Sequence, residues 1–173
     1  LLAVRNEAAN LPKCLSALAP VARIVLLDSH SEDATVEIAA MYNAEVVQFD
    51  YCGGYPKKRQ WALNELEIDT EWLFLLDADE VVPHELWEEI ESAISKPGAP
   101  DAYLMLKGFH FMGRRFRFGG FSHAAVLLFR KGKARFEELD SSIVTALDME
   151  VHERVIVDGS VGVISLPLIH EDF

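Results

Sequence analysis

Cysteine, positive charge and long apolar runs are all scarce in this chain of 173 residues. Cys14 and Cys52 lie far apart without metal-ligand spacing, which indicates a reduced, cytosolic setting rather than a disulfide framework. Only 16 basic residues accompany 28 acidic ones, which argues against a nucleic-acid partner because phosphate backbones require a basic surface. No apolar run is long enough to span a bilayer, and no signal peptide is visible.

Apolar residues make up half of the chain, which suits a single globular domain with a sizeable core. The first residues resemble the tail of a strand and lack an initiator Met, so we expect a fragment of a longer protein. The loop at 96–100, rich in Pro and Gly, divides a first half (1–95) from a second half (101–173). We expect the two halves to form one domain, because each is small.

The first half alternates short apolar runs with helical patterns. This order predicts an α/β fold with a mostly parallel central sheet, right-handed crossovers and helices on both faces. The predicted strands are 1–4, 23–27, 45–49 and 72–76, and the predicted helices are 10–18, 34–42, 56–66 and 83–94. The second half is predicted to be a mixed β region with strands at 102–106, 124–129, 151–157 and 161–166, the last two joined by a hairpin at Asp158-Gly159.

One buried strand is predicted to end directly at acidic residues. The apolar run 72–76 is followed by Asp77, Ala78, Asp79 and Glu80. Ligands of open α/β folds bind at the carboxyl ends of strands, where Asp77 and Asp79 could share one hard cation such as Mn²⁺ or Mg²⁺. The alternative is that these acids only cap the following helix.

Other polar groups follow the remaining strands of the first half. Asp28 ends the second strand, and its alternative role is to organise the turn with Ser31. The triplet Arg5-Asn6-Glu7 follows the first strand and could contact polar or phosphate groups of a ligand. The cations at 57–59, at a predicted helix start, would suit a pyrophosphate; the alternative is a flexible loop before a charged helix.

These motifs occur in an order that resembles the family 2 glycosyltransferases. The motifs are Arg5-Asn6-Glu7, Asp28-Ser29-x-Ser31-x-Asp33, Arg59-x-x-Ala62-Leu63 and Leu76-Asp77-Ala78-Asp79-Glu80. The later segments Gly113-Arg114-Arg115, Gly119-Gly120-Phe121, Val151-His152-Glu153 and Leu168-Ile169-His170 are similar to those of the bacterial enzymes that build lipopolysaccharide cores and other surface polysaccharides.

The resemblance implies a GT-A fold and the metal-dependent, inverting transfer of a sugar from a nucleoside diphosphate to a glycan or lipid-linked glycan. A UDP-sugar is the expected donor. Peripheral contact with the cytoplasmic face of the inner membrane is a further expectation. The implied donor-binding residues are Arg5, Asn6, Glu7, Asp28, Ser29, Arg59, Asp77 and Ala78. The implied metal ligands are Asp77, Asp79 and His170. The implied catalytic residues are Asp79 and the base Glu153. The implied acceptor-side residues are Arg114, Arg115, Gly120 and Phe121.

Two other functions compete with this one. The segment 77–81 also fits the opening motif of haloacid-dehalogenase-like phosphohydrolases, in which Asp77 would be the nucleophile. Alternatively, the same fold could bind a nucleotide sugar or glycan without turnover. His152 and Glu153 could equally be exposed strand residues that pair locally, which leaves the identity of the base open.

Overall fold

The computed structural model describes residues 1–111, 114–115, 123–138 and 154–172. Its helices are α1 (Leu11–Ser16), α2 (Thr35–Met41), α3 (Lys58–Glu65) and α4 (His84–Ile94). Its strands are β1 (Leu2–Val4), β2 (Val25–Asp28), β3 (Glu45–Gln48), β4 (Trp72–Phe74), β5 (Glu80–Val81), β6 (Ala102–Phe111), β7 (Arg114–Arg115), β8 (His123–Arg130), β9 (Ala134–Phe136), β10 (Val155–Val157) and β11 (Val161–Asp172).

The first three strands form a parallel sheet in the order β1-β2-β3. The central strand β2 is buried along its whole length, as expected for a strand with neighbours on both sides and helices on its faces. Leu76, two residues after the end of β4, forms a parallel bridge to Leu2 on β1. The parallel arrangement predicted for the first half is confirmed for β1, β2 and β3, whereas the predicted fourth strand of this half, β4, pairs with β8 in the second sheet.

The second sheet is mixed and has the order β4-β8-β6-β11-β5, with β7 paired to β6. Strand β4 runs antiparallel to β8, whereas β6 and β11 are parallel. Because β4 lies in this sheet and Leu76 bridges to β1, the acidic residues after Leu76 stand where the two sheets meet.

One hydrophobic core contains residues from both sheets. Leu2 and Leu26 come from the first sheet, Met105 and Ile164 from the second, and Leu86 from α4. The burial of Leu86 and Ile90 follows from their spacing of four residues, which places them on one face of α4. No helix among the described residues is both long and apolar enough to cross a bilayer.

The predicted hairpin at Asp158-Gly159 is wrong. Strand β10 pairs antiparallel with β9, and β11 pairs parallel with β6, so the two strands belong to different sheets. The chain is held at this corner by Asp101, whose carboxylate accepts a hydrogen bond from the Ser160 amide at 2.9 Å. Gly159 occupies the corner with a φ of 146°.

Several predicted boundaries also differ from the structure. Strand β11 continues past Pro167, which lacks an amide hydrogen, by a register irregularity between Ile164 and Leu168. Helix α3 begins at Lys58, so Pro56 lies before it rather than in its first turn. The short strands β5, β7 and β9 were not predicted, because two or three residues are too few for a periodic pattern.

Candidate active site

The loops after β1 and β2 are joined by hydrogen bonds at one edge of the parallel sheet. The amide of Asn6 donates to Ser31 Oγ at 2.8 Å, and the amide of Glu7 donates to Thr35 Oγ1 at 2.8 Å. The amide of Ala8 donates to Asp33 Oδ2 at 3.0 Å. Parallel strands end at a common edge, so these loops meet beside the carboxyl ends of β1 and β2.

Asp28 is buried beneath these loops. One of its carboxylate oxygens accepts hydrogen bonds from the Ser31 amide at 3.0 Å and from Gln48 Nε2 at 2.9 Å. The amide of Ser29 donates to the Val4 carbonyl at 3.1 Å. Asp28 therefore organises the turn after β2, as the alternative interpretation proposed, and its contact with a nucleoside stays a prediction. Arg5 is exposed at the same edge.

The cations of the segment 57–59 do not act as one exposed cluster. Lys57 is buried with its ammonium 4.5 Å from the centre of the Tyr51 ring. Lys58 is buried and its ammonium donates to the Val4 carbonyl at 3.2 Å. Arg59 reaches in the other direction, from the first turn of α3 to the carboxylate of Asp77.

Asp77 and Glu80 share a network of ion pairs and hydrogen bonds. Asp77 Oδ1 contacts Arg59, and Asp77 Oδ2 lies 2.7 Å from the ammonium of Lys107. The same ammonium lies 2.6 Å from Glu80 Oε1, and Glu80 Oε2 accepts the amide of Asp77 at 2.9 Å. Burial alone would raise the pKa of Asp77, but Arg59 and Lys107 outweigh it and lower that pKa.

Asp79 lies in the turn between β4 and β5 and faces His170 of β11. Asp79 Oδ1 and His170 Nδ1 are 3.5 Å apart, and both atoms are shielded from solvent. Asp79 Oδ1 has no hydrogen-bond partner among the described residues. Burial raises the pKa of Asp79, the His170 imidazole opposes this effect, and the Asp77 carboxylate adds to it. A buried carboxylate oxygen without a donor is suited to receive a cation.

The separation between Asp79 and His170 fits two ligands of one divalent cation. Two ligands at right angles on Mg²⁺ or Mn²⁺ lie about 3 Å apart, close to the observed separation. Across the described residues, no group of three or more His, Cys, Asp or Glu side chains is arranged to hold a metal ion. The pair could thus supply two ligands, with further ligands from a substrate or from water. Both carboxylate oxygens of Asp77, the third predicted ligand, contact Arg59 and Lys107, and its role as a metal ligand stays a prediction.

The predicted residues in the loops after β1 and β2 lie near the acidic turn with Asp77 and Asp79. Burial raises the pKa of Glu7, its hydrogen bond with Asn10 opposes this, and the carboxylates of Asp79 and Asp77 raise it further. The thiol of Cys14 on α1 lies 3.8 Å from the Asp77 carbonyl. The edge that carries Asn6 and Asp28 is therefore continuous with the acidic turn.

Some predicted residues lie outside the described part of the chain. These are Glu153, Gly120 and Phe121. Arg114 and Arg115 are described only as strand β7, which pairs with the end of β6. Their catalytic and acceptor roles stay predictions.

Sequence reasoning did not single out Lys107 or assign a role to Glu80. Both are central to the ion-pair network described above. The position of Lys107 directly after the apolar run 102–106 is the signal that could have identified it. A lysine at the end of a buried strand needs a partner, because lysine is rarely buried unpaired.

The sequence model described as Glycosyl transferase family 2 matches residues 1–139. The chain belongs to this family. The family prediction is confirmed, and the phosphohydrolase alternative is not favoured.

The chain is also similar to two curated relatives. The lipopolysaccharide core biosynthesis glycosyltransferase LpsC of Rhizobium meliloti is 28% identical over 162 residues, which cover 91% of this chain and 56% of LpsC. A TPR repeat-containing protein of Synechococcus elongatus is 34% identical over 97 residues, covering 56% of this chain and 24% of the relative. The chain thus spans about half the length of LpsC and a quarter of the other relative.

The fold is also shared with a solved structure. The structure of S. aureus TarS 1-349 in complex with UDP has a TM-score of 0.54 and 22% sequence identity, covering 68% of this chain and 37% of the TarS 1-349 chain. At this identity the likeness shows the fold alone. Together with the mixed α/β architecture of this family 2 chain, it confirms the predicted GT-A-type fold.

Proposed function

We propose that this chain is the catalytic domain of a nucleotide-sugar-dependent glycosyltransferase that acts on a glycan or lipid-linked glycan. The observation that carries the proposal is the edge where the loops after β1 and β2 meet the turn with Asp77 and Asp79. Arg59 lies against that turn, and Asp79 has a buried oxygen that lacks a hydrogen-bond donor among the described residues. A UDP-sugar is the donor that we expect, as in the UDP complex of TarS.

The chemistry of glycosyl transfer explains why these residue types would be needed. Cleavage of the bond between the anomeric carbon and the diphosphate leaves additional negative charge on the departing nucleoside diphosphate. A divalent cation held by Asp79 and His170 would supply charge neutralisation for the leaving group. Arg59 on α3 contacts Asp77 in the same turn, and a fixed cation stabilises developing charge without reorganisation.

The acceptor half of the reaction rests mainly on residues outside the described part of the chain. An acceptor hydroxyl must lose a proton as it attacks, and Glu153 is the proposed base. Arg114, Arg115, Gly120 and Phe121 are the proposed acceptor-side residues, and contact with the inner membrane remains a proposal for the same region. The name of LpsC makes lipopolysaccharide cores the first acceptors to test.

A ligand-stabilisation panel tests the donor site. The chain is heated with UDP, GDP, ADP or CDP, each with Mn²⁺ and with EDTA. We expect UDP with Mn²⁺ to raise the melting temperature most, because a ligand at 100 times its Kd stabilises the native state by about 2.7 kcal/mol. If no nucleoside diphosphate stabilises the chain, the proposed donor site is wrong.

Turnover separates an enzyme from a binding module. We expect hydrolysis of, or transfer from, the nucleotide sugar whose nucleoside diphosphate stabilises the chain. We expect Asp79→Asn to abolish the Mn²⁺ dependence of this activity, while Asp158→Asn, an exposed control, retains full activity. Binding without turnover would favour the non-catalytic alternative. Equal activity of Asp79→Asn and the unmodified chain would contradict the proposed role of Asp79.

A further inference from the structure

Glu80 is a fully buried carboxylate directly beside the acidic turn. Its side chain has no solvent exposure, and it is held by the ammonium of Lys107 at 2.6 Å and by the amide of Asp77 at 2.9 Å. A buried charge is costly unless it is paired and hydrogen-bonded. Glu80 therefore depends on Lys107 for its place in the fold.

The sheet register brings Lys107 to this carboxylate from two strands away. Glu80 on β5 is opposite His170 on β11, and Lys107 on β6 is opposite Leu168 on β11. Leu168 and His170 are two residues apart, so their side chains share one face of the sheet. Lys107 and Glu80 consequently lie on that same face, and the lysine reaches across β11 to meet the turn.

Lys107 also contacts Asp77, which gives it a second role. With Arg59 on Oδ1 and Lys107 on Oδ2, both oxygens of the Asp77 carboxylate are occupied by cations. Lys107 therefore ties both ends of the segment 77–80 together, while Asp79, between these ends, keeps an oxygen directed at His170. Arg59 forms an ion pair with Asp77, and Lys107 forms ion pairs with Asp77 and Glu80.

We propose that Lys107 is a positioning residue for the donor site, which clamps Asp77 to Glu80 and thereby holds the Asp79 carboxylate in place beside His170. This inference rests on the proposed function. Lys107 acts through the turn and does not itself contact the nucleotide. A side chain that orients a ligating group typically changes metal affinity by about 10–100-fold when it is removed.

A simpler role for Lys107 would be to neutralise the charge of Glu80. The two roles are separated by a double variant, Lys107→Met with Glu80→Gln. Position 80 then carries no charge to neutralise, Asp77 keeps its ion pair with Arg59, and the new glutamine side chain can still accept the Asp77 amide. Lys107→Met alone should be markedly less stable than the unmodified chain, because it leaves Glu80 buried without its cation. Lys96→Met, which removes an exposed lysine after α4, is the matched control.

The experiment measures the melting temperature and the affinity for UDP by calorimetry, with Mn²⁺ and with EDTA. We expect the double variant to melt within a few degrees of the unmodified chain and to bind UDP in EDTA within about twofold. We expect the tightening of UDP binding by Mn²⁺ to fall by about tenfold or more. Lys96→Met should match the unmodified chain in every measurement.

Two results would overturn the inference while leaving the proposed function intact. If Mn²⁺ tightens UDP binding equally in the double variant and the unmodified chain, Lys107 only balances the charge of Glu80. If UDP binding in EDTA weakens as much as binding in Mn²⁺, Lys107 contacts the nucleotide directly. If the unmodified chain binds UDP under neither condition, both the inference and the proposed UDP donor are wrong.

Discussion

The surroundings of Asp79 conflict with its charge. Burial favours its protonated form, and the neighbouring Asp77 carboxylate favours it further, against the opposing effect of His170. Asp77 two residues earlier experiences the opposite balance, because Arg59 and Lys107 hold its pKa below the ordinary value. Neighbouring carboxylates whose pKa values are moved in opposite directions are typical of functional sites.

Replacing Asp79 should make the chain more stable at neutral pH. The raised pKa means that the folded state retains the proton to a higher pH than the unfolded state, so ionisation of Asp79 reduces stability as the pH rises above the ordinary carboxyl value of about 4. We expect Asp79→Asn to raise the melting temperature at pH 7 by about 2–4 °C, the effect of about 1 kcal/mol in a domain of this size. The gain should shrink towards pH 4.

Thermal denaturation between pH 4 and pH 8 measures this effect. Asp158→Asn, which changes an exposed aspartate, should follow the curve of the unmodified chain. A lower melting temperature for Asp79→Asn at pH 7 would show that the carboxylate is stabilised by partners in the fold.

At the corner between β10 and β11 the chain leaves one sheet and enters another. Asp101 accepts hydrogen bonds from the amide of Ser160 at 2.9 Å and from its hydroxyl at 3.1 Å. These bonds lower the pKa of Asp101. A Cβ atom on Gly159 would lie 2.3 Å from a carboxylate oxygen of Asp101, so the corner requires glycine for space as well as for its positive φ.

We expect Gly159→Ala to disrupt this corner. The new methyl group would displace the Asp101 carboxylate from Ser160, so the pKa of Asp101 should rise towards its ordinary value in an NMR titration. Gly98→Ala is the matched control, because Gly98 also has a positive φ of 74° but its Cβ would meet no atom within 4 Å. Gly98→Ala should lose about 1–2 kcal/mol from its left-handed backbone conformation, and Gly159→Ala should lose more because its methyl group also meets Asp101.

The control isolates the steric effect from the backbone effect. An unchanged Asp101 pKa in Gly159→Ala would show that the side chain moves without releasing Ser160. Equal losses of stability in the two alanine variants would lead to the same conclusion.

The whole molecule carries a formal net charge of −12. Such an excess of one sign destabilises the compact state by repulsion between exposed charges, and salt screens this repulsion over about 10 Å at 0.1 M. The ion pairs of Lys107 are largely sheltered from solvent, with the lysine side chain 12% exposed, so salt should weaken them less than it weakens surface repulsion.

Sodium chloride should therefore stabilise the chain. We expect the melting temperature to rise by a few degrees between about 20 and 300 mM salt, because screening relieves repulsion among the exposed acids. The double variant Glu37→Gln/Glu65→Gln, which removes two exposed negative charges, should show a smaller rise. Salt-dependent destabilisation in differential scanning fluorimetry would mean that surface ion pairs outweigh the net repulsion.

The features of the fold that depend on nearby residues could be predicted from the sequence, and those that depend on residues far along the chain could not. The helices and the strands of the first half follow from periodicities within about ten residues, which the printed sequence contains. The corner at Gly159 was wrongly predicted because Asp158-Gly159 suits a hairpin locally, whereas the pairing partners of β10 and β11 are chosen by residues far along the chain. The path of β11 beyond Pro167 depends in the same way on its neighbour β6.

The sequence by itself determined the family, the alternation of strands and helices, and the position of the Asp77–Asp79 motif after a buried strand. These features depend on residue order and on local hydrophobic patterns. Only the tertiary structure decided which charges meet: Arg59 and Lys107 on Asp77, Glu80 beneath the turn, and His170 opposite Asp79. The physical reason is that an ion pair requires a few ångströms between atoms, and residues 30 or 91 positions apart reach that distance only through the register of the assembled sheet.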